Sequence, residues 1–353
     1  MAQGSSVSSK HILGLLYGFS SGGVELLKTR AHAADTRVTF EAARTFLEDR
    51  ERELRGYEPV ASHGGFVALR RRRRPSLPAV ALPGLVLSPP PSDLVVCNPV
   101  TGQHVSLPRP SIWDDSFVLL AHGGTSFSLL ILNLELADAG MLQIQAFSSA
   151  KDKWDGVVST YAHLPLGARS RFLRPSPLVL DGVAYWLCKS ESKRLGYHVL
   201  ALPLDGQEQP APIRFPDGVA KSRGRGDSFH TEDILLASTT VNGTRRLTLA
   251  VVANITVSLW TLDSDQQAQK PPARWTRHKV LDLWKIMPGR ECPLPSREEG
   301  DRVALECFSE ESGSLLFHFY HRMLYRIDLQ TEEVSLAGIY CKRTSSNMCE
   351  YHI

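Results

Sequence analysis

From residue 57 onward the chain is built of short apolar runs punctuated by Gly, Pro, Asn and Asp. The clearest unit is Asp93 to Pro110. An apolar run, Leu94 to Cys97, meets Asn98, Pro99 and Gly102, and a second run, His104 to Leu107, is stopped by Pro108. Proline fixes φ and glycine supplies φ > 0, so the two runs are predicted to fold back as a hairpin. The same logic predicts hairpins across Asp181-Gly182 and Asn242-Gly243. Further strands are predicted at Gly65 to Leu69, Ser116 to Ala121, Ser126 to Leu134, Leu142 to Phe147, Tyr197 to Leu204, Val257 to Leu262, Val303 to Phe308, Ser314 to Tyr320 and Met323 to Leu329. Earlier in the chain, Ile12 to Phe19 is a short apolar run broken by glycine, read as a strand. Residues 39 to 55 place Phe40, Ala43, Phe46 and Leu47 on one helical face, with Glu48/Arg52 and Glu51/Arg55 at i,i+4 spacing.

Three stretches repeat: Val95 to Leu107, His198 to Phe215 and Leu324 to Leu336. Each is an alternating strand, a turn rich in Asn, Asp, Thr or Gly, and a return strand. Gln143 to Phe147 and Ser258 to Leu262 are weaker members. Their spacing of about fifty to sixty-five residues is near or above that of a propeller blade. A four-stranded sheet cannot bury both its faces alone, whereas radial packing of several does so and leaves short edges. The expected fold is therefore an all-β propeller of about six four-stranded blades, with a short irregular or helical N-terminal segment. A pair of β-sandwiches is the alternative. The expected organisation is a leader, apolar strand and helix over 1–56, a propeller over 57–341 and a C-terminal tail over 342–353.

Composition narrows the function. With 42% hydrophobic and 22% charged residues in 353, the chain has the make-up of a globular protein. A net charge of +3 is too small to imply a nucleic-acid partner. The six cysteines include no Cys-x-x-Cys pair, which points to a reducing compartment, cytoplasmic or nuclear, without disulfides or a zinc site. No apolar stretch is long enough to span a bilayer, and residues 1–10 lack a secretory signal pattern, so no membrane role is expected. The sequons at Asn242 and Asn254 are then chance matches. The chain is expected to act as a monomer.

The sequence carries no familiar catalytic pattern. There is no Gly-x-Ser-x-Gly elbow and no His-Glu-x-x-His. Gly22 to Thr29 mimics a phosphate loop only in Lys28-Thr29, since Leu27 stands where glycine is required. His318 and His321 are three apart on a predicted strand and so face opposite sides. No catalytic, cofactor-binding or metal-binding residue is assigned, and the chain is not expected to be an enzyme; a propeller hydrolase is the lesser alternative. Trp113, Trp154, Trp186, Trp260, Trp275 and Trp284 recur at intervals suiting one large aromatic per blade contact. The candidate recognition elements are three loops, Arg70 to Pro91, Pro216 to Glu232 and Gln266 to Arg274. Loops on a rigid scaffold are the usual carriers of recognition. Within them Arg70, Arg72, Arg74, Arg223 and Arg225 are the candidate binding residues, the first three in a run of five arginines.

The motif Val-Val-Cys-Asn-Pro-Val-Thr-Gly-Gln from Val95, with Leu107-Pro108, resembles the β-propeller that follows the F-box in plant F-box proteins, the F-box-associated domain. Leu180 to Leu187, Tyr325 to Thr331 and Ile12 to Phe19 extend the likeness over about residues 11 to 340. The second and third motifs are common to kelch-like propellers. The resemblance implies a protein-binding propeller that selects substrates for an SCF-type ubiquitin ligase. An F-box would precede residue 11, where ten polar residues stand. The expected partner is thus a protein substrate of unknown identity, with a Skp-type adaptor joining only where an F-box lies upstream. A stand-alone propeller scaffold is the alternative.

Overall fold

The computed structural model describes residues 12–18, 24–28, 45–72, 93–112, 116–122, 124–133, 141–161, 170–174, 176–190, 196–206, 208–216, 219, 233–263, 274–286, 303–309, 313–319, 323–339 and 348–352. Strands β1 (Ile12–Gly18) and β2 (Val24–Lys28) come first, followed by helical turns at 45–49 and the short helix α1 (Glu51–Leu54). The predicted helix over 39–55 is thus two short turns, with Leu47 and Leu54 buried against blade 1 and residues 39–44 outside the described residues.

Five blades follow, each an antiparallel sheet. Blade 1 is β3 (Tyr57–His63), β4 (Phe66–Arg71), β5 (Leu94–Asn98) and β6 (Gln103–Leu107). Blade 2 is β7 (Ser116–Ala121), β8 (Phe127–Asn133) and β9 (Met141–Ser148), its outer place shared by β10 (Lys153–Trp154) and β11 (Val158–Tyr161). In blade 3 the inner place is shared by β12 (Ser170–Phe172) and β13 (Leu178–Leu180), followed by β14 (Val183–Ser190), β15 (Tyr197–Pro203) and β16 (Ala211–Arg214). Blade 4 is β17 (Ile234–Val241), β18 (Thr244–Ala253), β19 (Thr256–Leu262) and β20 (Trp275–Asp282), capped by α2 (Leu283–Ile286). Blade 5 is β21 (Ala304–Ser309), β22 (Ser314–Phe319), β23 (Met323–Asp328) and β24 (Val334–Ile339). The five repeat members identified in the sequence are β5, β9, β15, β19 and β23, the third strand of each blade.

The molecule is an all-β propeller, and the paired-sandwich alternative is overturned by this sequence of radial blades. Five blades of four or more strands stand where about six were expected. The remaining sheet has three strands in the order β2-β1-β25, where β25 is Met348–His352. β25 lies against β3 of blade 1 on one side and β21 of blade 5 on the other. Residues 348–352, expected within a tail, therefore pair with β1 near the start of the chain. Their sequence, Met-Cys-Glu-Tyr-His, has too little alternation to read as a strand.

Burial explains the strand patterns. Strands covered on both faces are buried without a break: Ile234 to Ala237 lies between blades 3 and 5, and Phe66 to Leu69 between blade 2 and the helical turns bearing Leu47 and Leu54. Strands farther out alternate, as Thr256–Leu262 does between half-buried and buried. The four largest apolar clusters among the described residues sit between consecutive blades. Phe66 of blade 1 packs on Phe127 of blade 2, and Phe127 stacks on Phe147, with ring centres 5.3 and 6.1 Å apart. Trp186 of blade 3 is fully buried among Val118, Leu132 and Leu142 of blade 2.

Turns follow the sequence chemistry. Asp181 and Gly182 have φ of 50° and 77°, and Asn242 and Gly243 have 52° and 77°, the left-handed pair that a two-residue hairpin needs. At the start of the turn after β5, Asn98 Oδ1 accepts the N–H groups of Val100 and Thr101; after β23, Asp328 Oδ1 does the same for Gln330 and Thr331. The repeat thus preserves an Asx turn.

Candidate functional site

Strand alternation sorts the connections onto two rims. His63 at the end of β3 accepts the N–H of Ala121 at the end of β7 (3.0 Å), and Gln103 of blade 1 donates to the Thr125 carbonyl of blade 2 (3.1 Å). Inner strands of neighbouring blades therefore run the same way. On one rim the turns are tight: 64–65, 99–102, 181–182 and 242–243. The other rim is where β4 ends and β5 begins, where β8 ends and β9 begins, and where each blade's outer strand hands over to the next blade. Segments 73–92, 134–140, 162–169 and 287–302, and the connection from β16 to β17, all depart from it.

Two of the three predicted recognition loops, Arg70 to Pro91 and Pro216 to Glu232, thus leave from the same rim. The third, Gln266 to Arg274, leaves from the opposite one. The sequence could not assign these sides, because rim identity depends on counting strands between loops. Arg74, Arg223 and Arg225 lie outside the described residues.

The arginine run begins on β4, and the pleat divides it. Arg70 and Arg72 turn to Glu58 on β3: Arg70 Nη2 and Nε reach Glu58 Oε1 at 2.7 and 3.2 Å, and Arg72 Nε lies 3.4 Å from Oε2. The Arg70 guanidinium also sits 5.5 Å over the Phe117 ring of blade 2. Arg71 points the other way, where its Nη1 donates to Asp93 Oδ2 (3.2 Å) and Arg109 Nε donates to Oδ1 (3.0 Å). Burial pushes the Asp93 carboxyl up, but the two guanidiniums outweigh it and hold its pKa below the ordinary value. Burial, then the Asp93 charge, raises the Tyr57 phenol next to them. The sequence does not announce Arg109 and Asp93 as a pair. Their only signal was that both flank the strands of the anchor hairpin.

The propeller centre is crossed by the residues between β12 and β13. Arg174 of blade 3 donates Nη2 to the Leu305 carbonyl (2.5 Å) and Nη1 to the Glu306 carbonyl, both on β21 of blade 5. Ser176 Oγ donates to the Val60 carbonyl on β3 of blade 1 (2.7 Å). Both acceptor strands are bulged at these points, with register shifts at Pro59/Ala61 and Leu305/Cys307. A bulge takes backbone groups out of the ladder, and Arg174 and Ser176 supply donors there. The same bulge sets Glu306 beside His318, whose Nε2 lies 3.1 Å from Oε1. His321 lies outside the described residues, and among the described residues no three His, Cys, Asp or Glu side chains are grouped to hold a metal ion.

Three tryptophans join blades. Trp154 Nε1 donates to the Pro108 carbonyl and Trp275 Nε1 to the Arg214 carbonyl, each 2.7 Å and each reaching the end of the preceding blade's outer strand. Trp186 Nε1 donates to Ser116 Oγ (2.5 Å). Trp113 and the Trp284 side chain lie outside the described residues. A cavity of about 510 Å³ lies between Ile286, Arg326, Asp328, Glu332 and Glu333. Two of its carboxylates are engaged locally, Asp328 by its own turn and Glu332 by Lys279.

Residues 26–352 match the profile of a family described as a domain of unknown function, DUF7595, and the chain belongs to that family. No curated protein matches it. Among solved structures it is similar to a puromycin-hydrolysing peptidase from Mycobacterium tuberculosis, at 11% identity and a TM-score of 0.40. That match covers 91% of this chain but 42% of the peptidase, so the chain spans less than half of it. A protein from Lactobacillus plantarum gives 9% identity and a TM-score of 0.39 over 92% of this chain and 81% of that one. A neuraminidase-like protein from A/bat/Guatemala/164/2009 gives 11% and 0.34 over 84% and 74%. Likeness at this level implies no shared activity.

Proposed function

We propose that this protein is a non-catalytic recognition propeller that recruits a protein partner through the rim bearing its long connections. The observation that carries the reading is the asymmetry of the rims: the Arg70 to Pro91 and Pro216 to Glu232 segments leave from one side, and two- to four-residue turns dominate the other. Loops positioned by a rigid scaffold are where binding residues concentrate. The centre, bridged by Arg174 and Ser176, is used for holding blades together. The role follows the resemblance to the substrate arm of plant F-box proteins, with a Skp-type adaptor joining through an F-box and the cytoplasm or nucleus as the site of action. In this reading the three-stranded sheet β2-β1-β25 is the sixth blade, and its pairing of both ends of the chain closes the ring of a monomer.

The test is affinity capture with the full chain. Arg223→Glu with Arg225→Glu is expected to lose partners that the wild type retains, while Asp205→Lys on the opposite rim keeps them. Recovery of every partner by the arginine variant would overturn the rim assignment. Co-recovery of a Skp-type adaptor supports a place in a ubiquitin ligase, and its consistent absence supports the stand-alone scaffold.

A further inference from the structure

We propose that Arg71 and Arg109 form an anion clamp on this rim that takes the acidic or phosphorylated side chains of a protein partner. The inference rests on the recognition reading above and names the chemistry recognised.

Four described guanidiniums gather at the rim of blade 1 around two carboxylates, a balance of 4 − 2 = +2. The two pairs differ in kind. Glu58 is held by Arg70 and Arg72, whose side chains are 18% and 23% exposed, so that pair is largely closed to a ligand. Asp93 is held by Arg71 and Arg109, which are 59% and 66% exposed. Arg71 gives Asp93 one nitrogen, Nη1, and Arg109 gives one, Nε. Each guanidinium has five donors, so both arginines, more than half exposed, have donors to spare, and such a fork matches carboxylate or phosphate bidentately.

The arrangement is also pre-ordered. The Arg71 N–H donates to the Asp93 carbonyl (2.9 Å), and the Arg72 N–H donates to the Gly56 carbonyl (2.6 Å), extending the ladder to the rim. Asp93 grips both side chains by opposite oxygens, which brings two cations to one point while cancelling only one charge. Ordering the side chains in advance lowers the entropy lost on binding.

The probes are a fluorescein-labelled hexaglutamate, a hexaglutamine control, and a glycine hexamer with one phosphoserine, read by fluorescence anisotropy on the full chain. Hexaglutamate is expected to bind and hexaglutamine not, with affinity falling as salt rises. Arg71→Gln with Arg109→Gln should weaken hexaglutamate at least about tenfold, whereas Lys151→Gln with Lys153→Gln, two exposed cations by the opposite rim, should not. Asp93→Asn keeps one acceptor oxygen to order a guanidinium while removing the competing charge, and is therefore expected to strengthen binding; a merely structural Asp93 would give no gain. Tighter binding of the phosphoserine peptide than of hexaglutamate identifies phosphate as the anion, and the reverse identifies carboxylate. The proposal is overturned by equal losses in the two double variants, by a failure of both anionic peptides to bind, or by weaker binding in Asp93→Asn. If both peptides fail while Arg223→Glu with Arg225→Glu still loses partners, the clamp falls and the rim reading stands.

Discussion

The sharpest quantitative prediction concerns His198. It lies on β15 in direct register between Cys188 of β14 and Arg214 of β16, fully buried. Its Nδ1 lies 3.4 Å from the Gly196 carbonyl, and burial lowers its pKa from 6.5 to about 4, the nearby carbonyl only partly opposing this. In the unfolded chain the imidazole keeps its ordinary pKa, so as pH falls below 6.5 the unfolded state takes up a proton that the folded state refuses. Stability is therefore full above pH 6.5 and is lost progressively as pH falls to about 4. A difference of about 2.5 units at ~1.4 kcal/mol each gives a loss of about 3 kcal/mol. Carboxylates titrate in the same range, so the assay must isolate one residue. Urea unfolding of wild type and His198→Leu, run in parallel from pH 8 to pH 4, does this by difference. Leucine fits the adjoining apolar row of Cys188, Leu200 and Leu202. The gap between the two proteins should be constant above pH 7 and shift by about 3 kcal/mol in favour of the leucine variant by pH 4. A gap that stays flat across the whole range would refute the buried, neutral histidine.

Other perturbations follow from the blade contacts. Arg174→Ala should cost about 2–3 kcal/mol, because two bulge carbonyls lose a charged donor, and Ser176→Ala about 1 kcal/mol, both by chemical denaturation. Trp154→Phe and Trp275→Phe each remove one inter-blade hydrogen bond and should each cost about 1 kcal/mol, adding in the double variant because they lie in different blades. Gly64→Ala should lower the melting temperature clearly, since its new Cβ would sit 2.6 Å from the Ala121 Cβ and its φ is +54°. Glu332 holds the left-handed place, φ 61°, that Gly102 holds in the matching turn of blade 1. Glu332→Gly should be neutral or stabilising by up to about 1 kcal/mol, the relieved backbone offsetting the lost contact to Lys279.

What could be read in the sequence was local. Asp181-Gly182 and Asn242-Gly243 carry their turn geometry in two residues, and the five repeat members mark the third strand of every blade because that strand is followed by a polar turn. Long-range assignments were hidden. Nothing near Arg70 announces that Glu58, on the neighbouring strand, would take alternate members of the arginine run. The pleat sends Arg71 to Asp93 across a connection of twenty residues, 73–92. The split inner position of blade 3 was hidden as well, because Arg174 and Ser176 contact carbonyls far away in sequence. The five-residue β25, Met-Cys-Glu-Tyr-His, is too short to show a strand period, and its place follows only from pairing with β1.

That pairing of β1 with β25 sets an order of events during synthesis. Four inter-blade cores can assemble as each new sheet leaves the ribosome, since consecutive blades need only local chain. The gap between β21 and β3 is different: β25 emerges after every other strand. Until it does, the sides of β3 and β21 that β25 lies against stay uncovered, and the nascent chain is at its most exposed to chaperones and to strand exchange with a neighbour. A stop codon or frameshift that removes only 348–352 would therefore leave all five blades encoded and still deny the molecule its latch.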